Sequence, residues 1–193
     1  TLQQRINEGL FDADETSLGK EVAALFFPET KAELKRAIDI TIGNEGYDAD
    51  LNSIDTSKIT DMSELFKGSR FNGDISKWNV SNVENMSELF KGSQFNGDIS
   101  KWNVSKVADM HEMFYMNHDF NGDISNWNVS KVKDMHGMFS STYSFNSDLS
   151  AWDTRSVTDM GGMFAYSGFS GDISDWNVSK VTNMSSMFEY FPV

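Results

Sequence analysis

Large apolar residues return along this chain at intervals of 24 or 25 positions, with the same polar residues between them each time. FNGDISKWNVSNVENMSELF begins at Phe71, FNGDISKWNVSKVADMHEMF at Phe95 and FNGDISNWNVSKVKDMHGMF at Phe120. FNSDLSAWDTRSVTDMGGMF begins at Phe145 and FSGDISDWNVSKVTNMSSMF at Phe169, and a weaker first copy, YDADLNSIDTSKITDMSELF, begins at Tyr47. A fixed period of this size marks one supersecondary unit, which buries its apolar side only by stacking on its neighbours.

Aligning the copies sorts the interior into columns. Trp78, Trp102, Trp127, Trp152 and Trp176 share one position, with Ile54 in the first copy. Met62, Met86, Met110, Met135, Met160 and Met184 share another, and Leu65, Leu89, Met113, Met138, Met163 and Met187 a third. A phenylalanine column runs from Phe66 to Phe188, an Ile/Leu column from Leu51 to Ile173, and a Val/Ile column from Ile59 to Val181. Neighbouring members should lie about 5 Å apart along the stack. Burying these side chains stabilises each coil by roughly 10–20 kcal/mol. Ordering the coil costs a comparable amount, so stability is collective.

Within a copy, W-N-V alternates apolar and polar with the period of a half-buried strand. The segment after it reads as a short helical turn, because Asp61 with Glu64, Asn85 with Glu88, and Asp109 with Glu112 have capping-box spacing. Gly73, Gly97, Gly122 and Gly171 fit a tight turn entering the next strand. The pattern therefore predicts an α/β repeat solenoid of leucine-rich-repeat plan: a stack of six 24–25-residue coils, parallel strands on one face and short helical turns on the other. Residues 47–193 form that stack as one continuous domain, behind an N-terminal helical capping segment, 1–46. In the cap, Thr30-Lys31-Ala32-Glu33 is a capping box after Pro28, and Leu34, Ile38 and Ile42 share one face of the helix that follows. A second helix is expected near residues 2–9. No cap is readable after the last copy, so the chain is expected to be cut from a longer protein or to make a partner contact at its C-terminal coil.

Charge and composition narrow the partners. The 193 residues carry a net charge of -13, which argues against nucleic acid and against anionic lipid. No apolar run is long enough to span a bilayer, so direct membrane insertion is not expected. No signal peptide is visible and the chain begins at Thr1, as a mature or excised piece would. Without cysteine there are no disulfides and no thiolate metal sites.

The run I-x-x-W-x-V-S-x-V-x-x-M-x-x-M-F, as in Ile75 to Phe90, resembles the repeat of BspA-like leucine-rich-repeat surface proteins. The lead-in PETKAELKRAI followed by DLNSIDTSKITDMSELF is similar to their N-terminal entry. The resemblance covers about residues 26–191. It implies an extracellular, surface-exposed adhesion protein of the kind found in bacterial surface lipoproteins, mycoplasmas included, and in some mucosal protozoa. It brings no catalytic residues. The family often carries cysteine after the closing Phe, where this chain has Ser69, Ser93 and Ser167.

Three columns invite chemistry. Asp50, Asp74, Asp98, Asp123, Asp148 and Asp172 stack without interruption. Unit charges about 5 Å apart repel by roughly 3–4 kcal/mol at an effective dielectric near 20, and by about 1 kcal/mol in water. Either each Asp caps its own turn, or the column holds calcium; one Asp per coil without acidic neighbours favours the turn. His111 and His136 lie in adjacent coils beside Asp109, Glu112 and Asp134, a zinc-like set in a column otherwise filled by Ser and Gly. The tryptophans could form a sugar platform, but their place beside inward valines favours the core. With three histidines, no cysteine and no phosphate-cradling loop, no enzyme activity, cofactor or metal is expected.

Recognition is instead expected on the outward strand face. Its residues are Lys77, Asn79 and Ser81; Lys101, Asn103 and Ser105; Asn126, Asn128 and Ser130; Asp153 and Arg155; and Asp175, Asn177 and Ser179. The expected function is adhesion to a protein or glycan on a host or neighbouring cell. The alternative is a structural spacer that binds nothing itself.

Overall fold

The computed structural model describes residues 25–190, so the helix expected near residues 2–9 lies outside the described residues. Helix α1 spans Lys31–Glu45. Its capping box forms as its sequence requires: Thr30 Oγ1 accepts from the Glu33 N–H at 3.2 Å, and Glu33 Oε2 accepts from the Thr30 N–H at 3.1 Å. The helix ends at Gly46, whose φ of 92° lies in the region that favours glycine. Leu34, Ala37 and Ile38 are buried, with Ile42 partly buried behind them, and all pack into the same apolar cluster as the coils. α1 thus covers the first coil.

Through Phe164 the interior columns are buried as their periodicity predicts, whereas in the last copy Met184 and Phe188 are exposed and Ile173 and Val181 partly buried. All five tryptophans lie between 3 and 7% exposed. At each junction the closing phenylalanine of one copy stacks on the opening phenylalanine of the next, with ring centroids 3.8 to 4.7 Å apart. The closing phenylalanines then stack coil on coil at 5.5 to 6.0 Å, from Phe66 to Phe188.

The backbone between these columns is not an α/β leucine-rich-repeat solenoid. Among the described residues the only pairing of strand type is a set of six isolated parallel bridges, such as Asp61 with Asn85 and Asn85 with Asp109; no sheet forms. The expected helical turns do not form either, because Glu64, Glu88 and Glu112 stand at φ of 60°, 54° and 52°, which no right-handed helix accommodates. The carboxylate expected to close a capping box is therefore the residue at which the chain turns left-handed. Asp61 Oδ1 instead accepts from the Ser63 N–H, two residues on, at 2.8 Å.

What replaces strand and helix is a ladder of tight turns. The N–H groups of Met62, Glu64, Phe66 and Gly68 bond to Asn85, Ser87, Leu89 and Lys91 of the next coil at 2.8 to 3.0 Å. The intervening Lys67 and Ser69 bond three residues back in their own coil. Coil-to-coil main-chain bonding thus falls on the side expected to be helical. The W-N-V segment, expected to pair as strands, turns on itself: Trp78 N bonds Ile75 O at 3.1 Å and Val83 N bonds Val80 O at 2.9 Å. There the coils are tied by side chains. Each indole Nε1 donates to a carbonyl of the preceding coil, Trp78 to Leu51, Trp102 to Ile75, Trp127 to Ile99, Trp152 to Ile124 and Trp176 to Leu149, at 3.0 to 3.2 Å.

A second set of rungs uses asparagine. Asn72, Asn96, Asn121 and Asn146 each accept, through Oδ1, the N–H of the next residue in their column, at 2.8 to 2.9 Å. Gly73 is required by space: a Cβ there would sit 2.0 Å from the Ala49 carbonyl oxygen.

Trp102→Phe keeps most of the buried ring but leaves the Ile75 carbonyl without its indole donor. We expect a loss of about 1–3 kcal/mol in urea unfolding. Trp102→Ala should cost about 3–5 kcal/mol. A Trp102→Phe variant as stable as the original would show that the cross-coil bond contributes nothing.

Candidate recognition surface

The W-N-V-S segment sorts its side chains by facing. Trp102 and Val104 point inward and are buried, whereas Asn103 is exposed and Ser105 half-buried; the coils at Trp78 and Trp127 repeat this. Asn103 Oδ1 accepts from the Ser105 N–H at 3.2 Å. Asn79, Asn128 and Asn177 do the same for Ser81, Ser130 and Ser179 at 3.0 to 3.2 Å, and the hydroxyls of Ser81 and Ser130 add a bond at 2.7 Å. In the fourth of these coils Asp153 takes the role, accepting from the N–H of Arg155 at 3.2 Å and from its guanidinium Nε at 2.7 Å.

This side-chain capture of the next-but-one N–H makes the segment a turn rather than a strand. It also fixes the amide. One end of each asparagine is locked, and Nδ2 makes no hydrogen bond among the described residues. The four amides are outward donors, one per coil. Lys77, Lys101, Asn126 and Asp175 are exposed in the next column, and Arg155 is exposed beside Asp153. The predicted site residues therefore occupy one recurring outward segment, although it is not the face of a sheet.

The tryptophan platform is excluded by burial. In the aspartate column, Asp50, Asp74, Asp98, Asp123, Asp148 and Asp172 each accept, through Oδ1, the N–H two residues on at 2.9 to 3.0 Å. Hydrogen bonds to Ser100 hold the Asp98 carboxyl below the usual carboxylate range, although Asp74 pushes it up. Hydrogen bonds to Ser125 do the same at Asp123 against Asp98 and Asp148. Turn bonding therefore outweighs the repulsion along the column.

Two arrangements went unread in the sequence. Lys67 pairs with Glu64 at 2.9 Å and Glu88 at 2.6 Å, and Lys91 pairs with Glu88 at 3.0 Å and also with Glu112. The result is an alternating charge ladder across three coils, and its signal was the recurrence of E-x-x-K at 64–67 and 88–91. In the serine column after the closing Phe, Ser93 and Ser167 are buried and Ser69 is half-buried. Ser93 accepts from the N–H of Phe95, and the buried Asn117 donates to Ser93 Oγ and to the Phe95 carbonyl.

A cleft of about 510 Å³ between α1 and the first coil, lined by Lys31, Ala32, Lys35, Ser63, Glu64 and Leu65, shares no residue with the outward segment. Among the described residues, no helix is long and apolar enough to cross a membrane. In the last coil Val178 and Met184 are 43% and 44% exposed, where their column mates are buried.

Residues 39–141 and 93–192 each match one family model, described as a Mycoplasma protein of unknown function, DUF285. No curated protein and no solved structure matches the chain.

Lys67 and Lys91 pull the Glu88 carboxyl down to about 2, against the upward push of burial. An unfolded glutamate titrates near 4.3. Between these values the unfolded chain binds the extra proton, so this stabilisation is complete above about pH 4.3 and is lost as pH falls toward 2. Glu88→Gln should lower the Tm at pH 7 and flatten the fall of Tm between about pH 4.5 and 2. An unchanged acid slope would mean the ladder adds no stability.

Proposed function

Since the chain belongs to the DUF285 family and turns a row of immobilised amide donors outward, we propose that it is a binding module of the cell surface. In this reading it is kin to BspA-like surface proteins and acts outside the cell by adhesion rather than catalysis. Its partner is a protein or glycan on a host or neighbouring cell. The observation that carries the proposal is the row itself. Asn79, Asn103, Asn128 and Asn177 each spend Oδ1 on their own turn and keep Nδ2 for another molecule. Donors held in place before binding lose little freedom on association, so modest contacts add up along a repeating ligand surface.

The spacer reading draws on a different observation. One apolar cluster runs from Leu34 in α1 to Met187 in the last coil, which suits a stiff rod. A rod needs no outward donors, so the two readings part at the asparagines.

Asn103→Asp with Asn128→Asp keeps the turn acceptor and replaces each outward donor with a carboxylate oxygen. We expect binding to host-cell surface proteins or to a glycan array to weaken at least about tenfold, with Tm nearly unchanged. Binding that survives the double change at full strength removes this face from the proposal, and absence of any binding by the unaltered chain favours the spacer.

A further inference from the structure

One group of carboxylate and imidazole side chains converges outside the outward segment. Asp109, His111 and Asp134 each present a ligand atom, and these atoms lie within 4.8 Å of one another. The coil period builds the pair of carboxylates: Asp109 and Asp134 hold the same position in neighbouring coils and are joined by a parallel bridge. His111 Nδ1 lies 2.8 Å from Asp109 Oδ1. All three residues are half-buried and open to solvent. Neither aspartate has a lysine or arginine within ion-pair distance among the described residues.

The other side of the imidazole carries an independent observation. His111 Nε2 faces Glu88 Oε1 at 3.7 Å. Glu88 is itself held by Lys67 and Lys91, so its oxygen is a fixed point rather than a loose surface group. A metal-bound imidazole typically turns its second nitrogen to such a carboxylate, which fixes the ring and raises its basicity. Oδ1 of Asp109 and of Asp134 accepts the N–H of His111 and of His136 at 2.9 Å, and neither carboxylate is paired with a cationic side chain of lysine or arginine among the described residues. Nδ1 toward these two aspartates and Nε2 toward an anchored glutamate is that arrangement.

We propose that His111 Nδ1, Asp109 and Asp134 form a binding site for a divalent transition-metal ion of the zinc class, with Glu88 as the carboxylate that orients the imidazole. An imidazole with two carboxylates matches the ligand preference of zinc better than that of calcium, which takes oxygen ligands alone. Bonds of about 2.0–2.2 Å require the three ligand atoms to draw closer together. Water completes the coordination. Binding uses the Nδ1 lone pair, so an imidazolium proton on that nitrogen leaves to solvent.

The neighbouring coil shows why the site is single. His136 Nδ1 faces Asp159 Oδ1 at 3.5 Å. Both oxygens of Asp159, however, already accept from the Asn183 amide. Asp134 stands beside Asp159 as Asp109 stands beside Asp134, but the Asn183 amide leaves Asp159 no oxygen without a partner.

The test is a calorimetric titration of zinc chloride into chelator-treated protein. His111→Ser and His136→Ser are compared with the unaltered chain; serine already fills this column at Ser63, Ser87 and Ser185, so both variants should fold. We expect one zinc per chain and a rise in Tm on saturation. His111→Ser and Asp134→Asn should each weaken binding by at least about tenfold, and His136→Ser by less than about twofold. Calcium should leave Tm unchanged. Absence of stoichiometric zinc binding overturns the proposal, as does a His111→Ser variant that binds as tightly as the original.

Discussion

Everything in this molecule depends on one coil lying in register above the next, so that each side chain meets its own kind. The contacts that set the register sit on opposite sides. The main chain from Met62 to Gly68 bonds to the coil that follows, and the indole of Trp78 reaches back to Leu51 in the coil before. A slip of one residue would separate the stacked phenylalanines and leave five buried indole donors facing the wrong atoms. An unmet buried donor costs about 1–3 kcal/mol, so register errors accumulate along the stack. Packing alone would tolerate more disorder, because apolar contacts have no direction.

The parts legible in the sequence were those carried by period and polarity. Trp102, Met110 and Phe114 repeat at the coil interval because a stack needs them there, and all three are buried. Helix α1 was legible because Thr30 and Glu33 form a capping box before a periodic apolar face. The local backbone of the coils was not legible from the same signals. D-x-x-E has capping-box spacing at Asp61 and Glu64, yet an Asx turn followed by a left-handed residue has the same spacing. The column itself held the clue. In later coils Gly137 and Gly162 replace glutamate at φ of 60° and 62°, and a position that exchanges glutamate for glycine is a poor helix interior. Likewise W-N-V alternates in burial as a strand would, while Asn103 captures the Ser105 N–H that a ladder would have used.

The same local capture shapes the outer surface. A sheet would spend its backbone on neighbouring strands and leave long polar side chains to sample solvent. Here the turn-forming side chains are themselves the surface. Each asparagine is fixed through Oδ1 and each aspartate through its own turn, so rows of polar atoms repeat at the coil spacing with little rotamer freedom left. That is why the asparagine row, rather than the exposed lysines of the next column, carries the functional reading. Lys77 and Lys101 contribute charge but no fixed geometry.

Charge compensation changes character partway along the stack, and this links the ladder to the histidine cluster. In the first two coils Lys67 and Lys91 neutralise the glutamates beside them. In the third coil the lysine position becomes Tyr115, whose ring lies 5.2 Å from Lys91 Nζ, and no cation of that column continues. At the same coil His111 enters the neighbouring column. Burial works against a charged imidazole there, yet Asp109, Asp134 and Glu88 together raise its proton affinity above the ordinary value. The anionic charge left by the end of the lysine column therefore falls on a group that can hold either a proton or a metal ion. A lysine in its place would have closed the question, because an ammonium offers no lone pair.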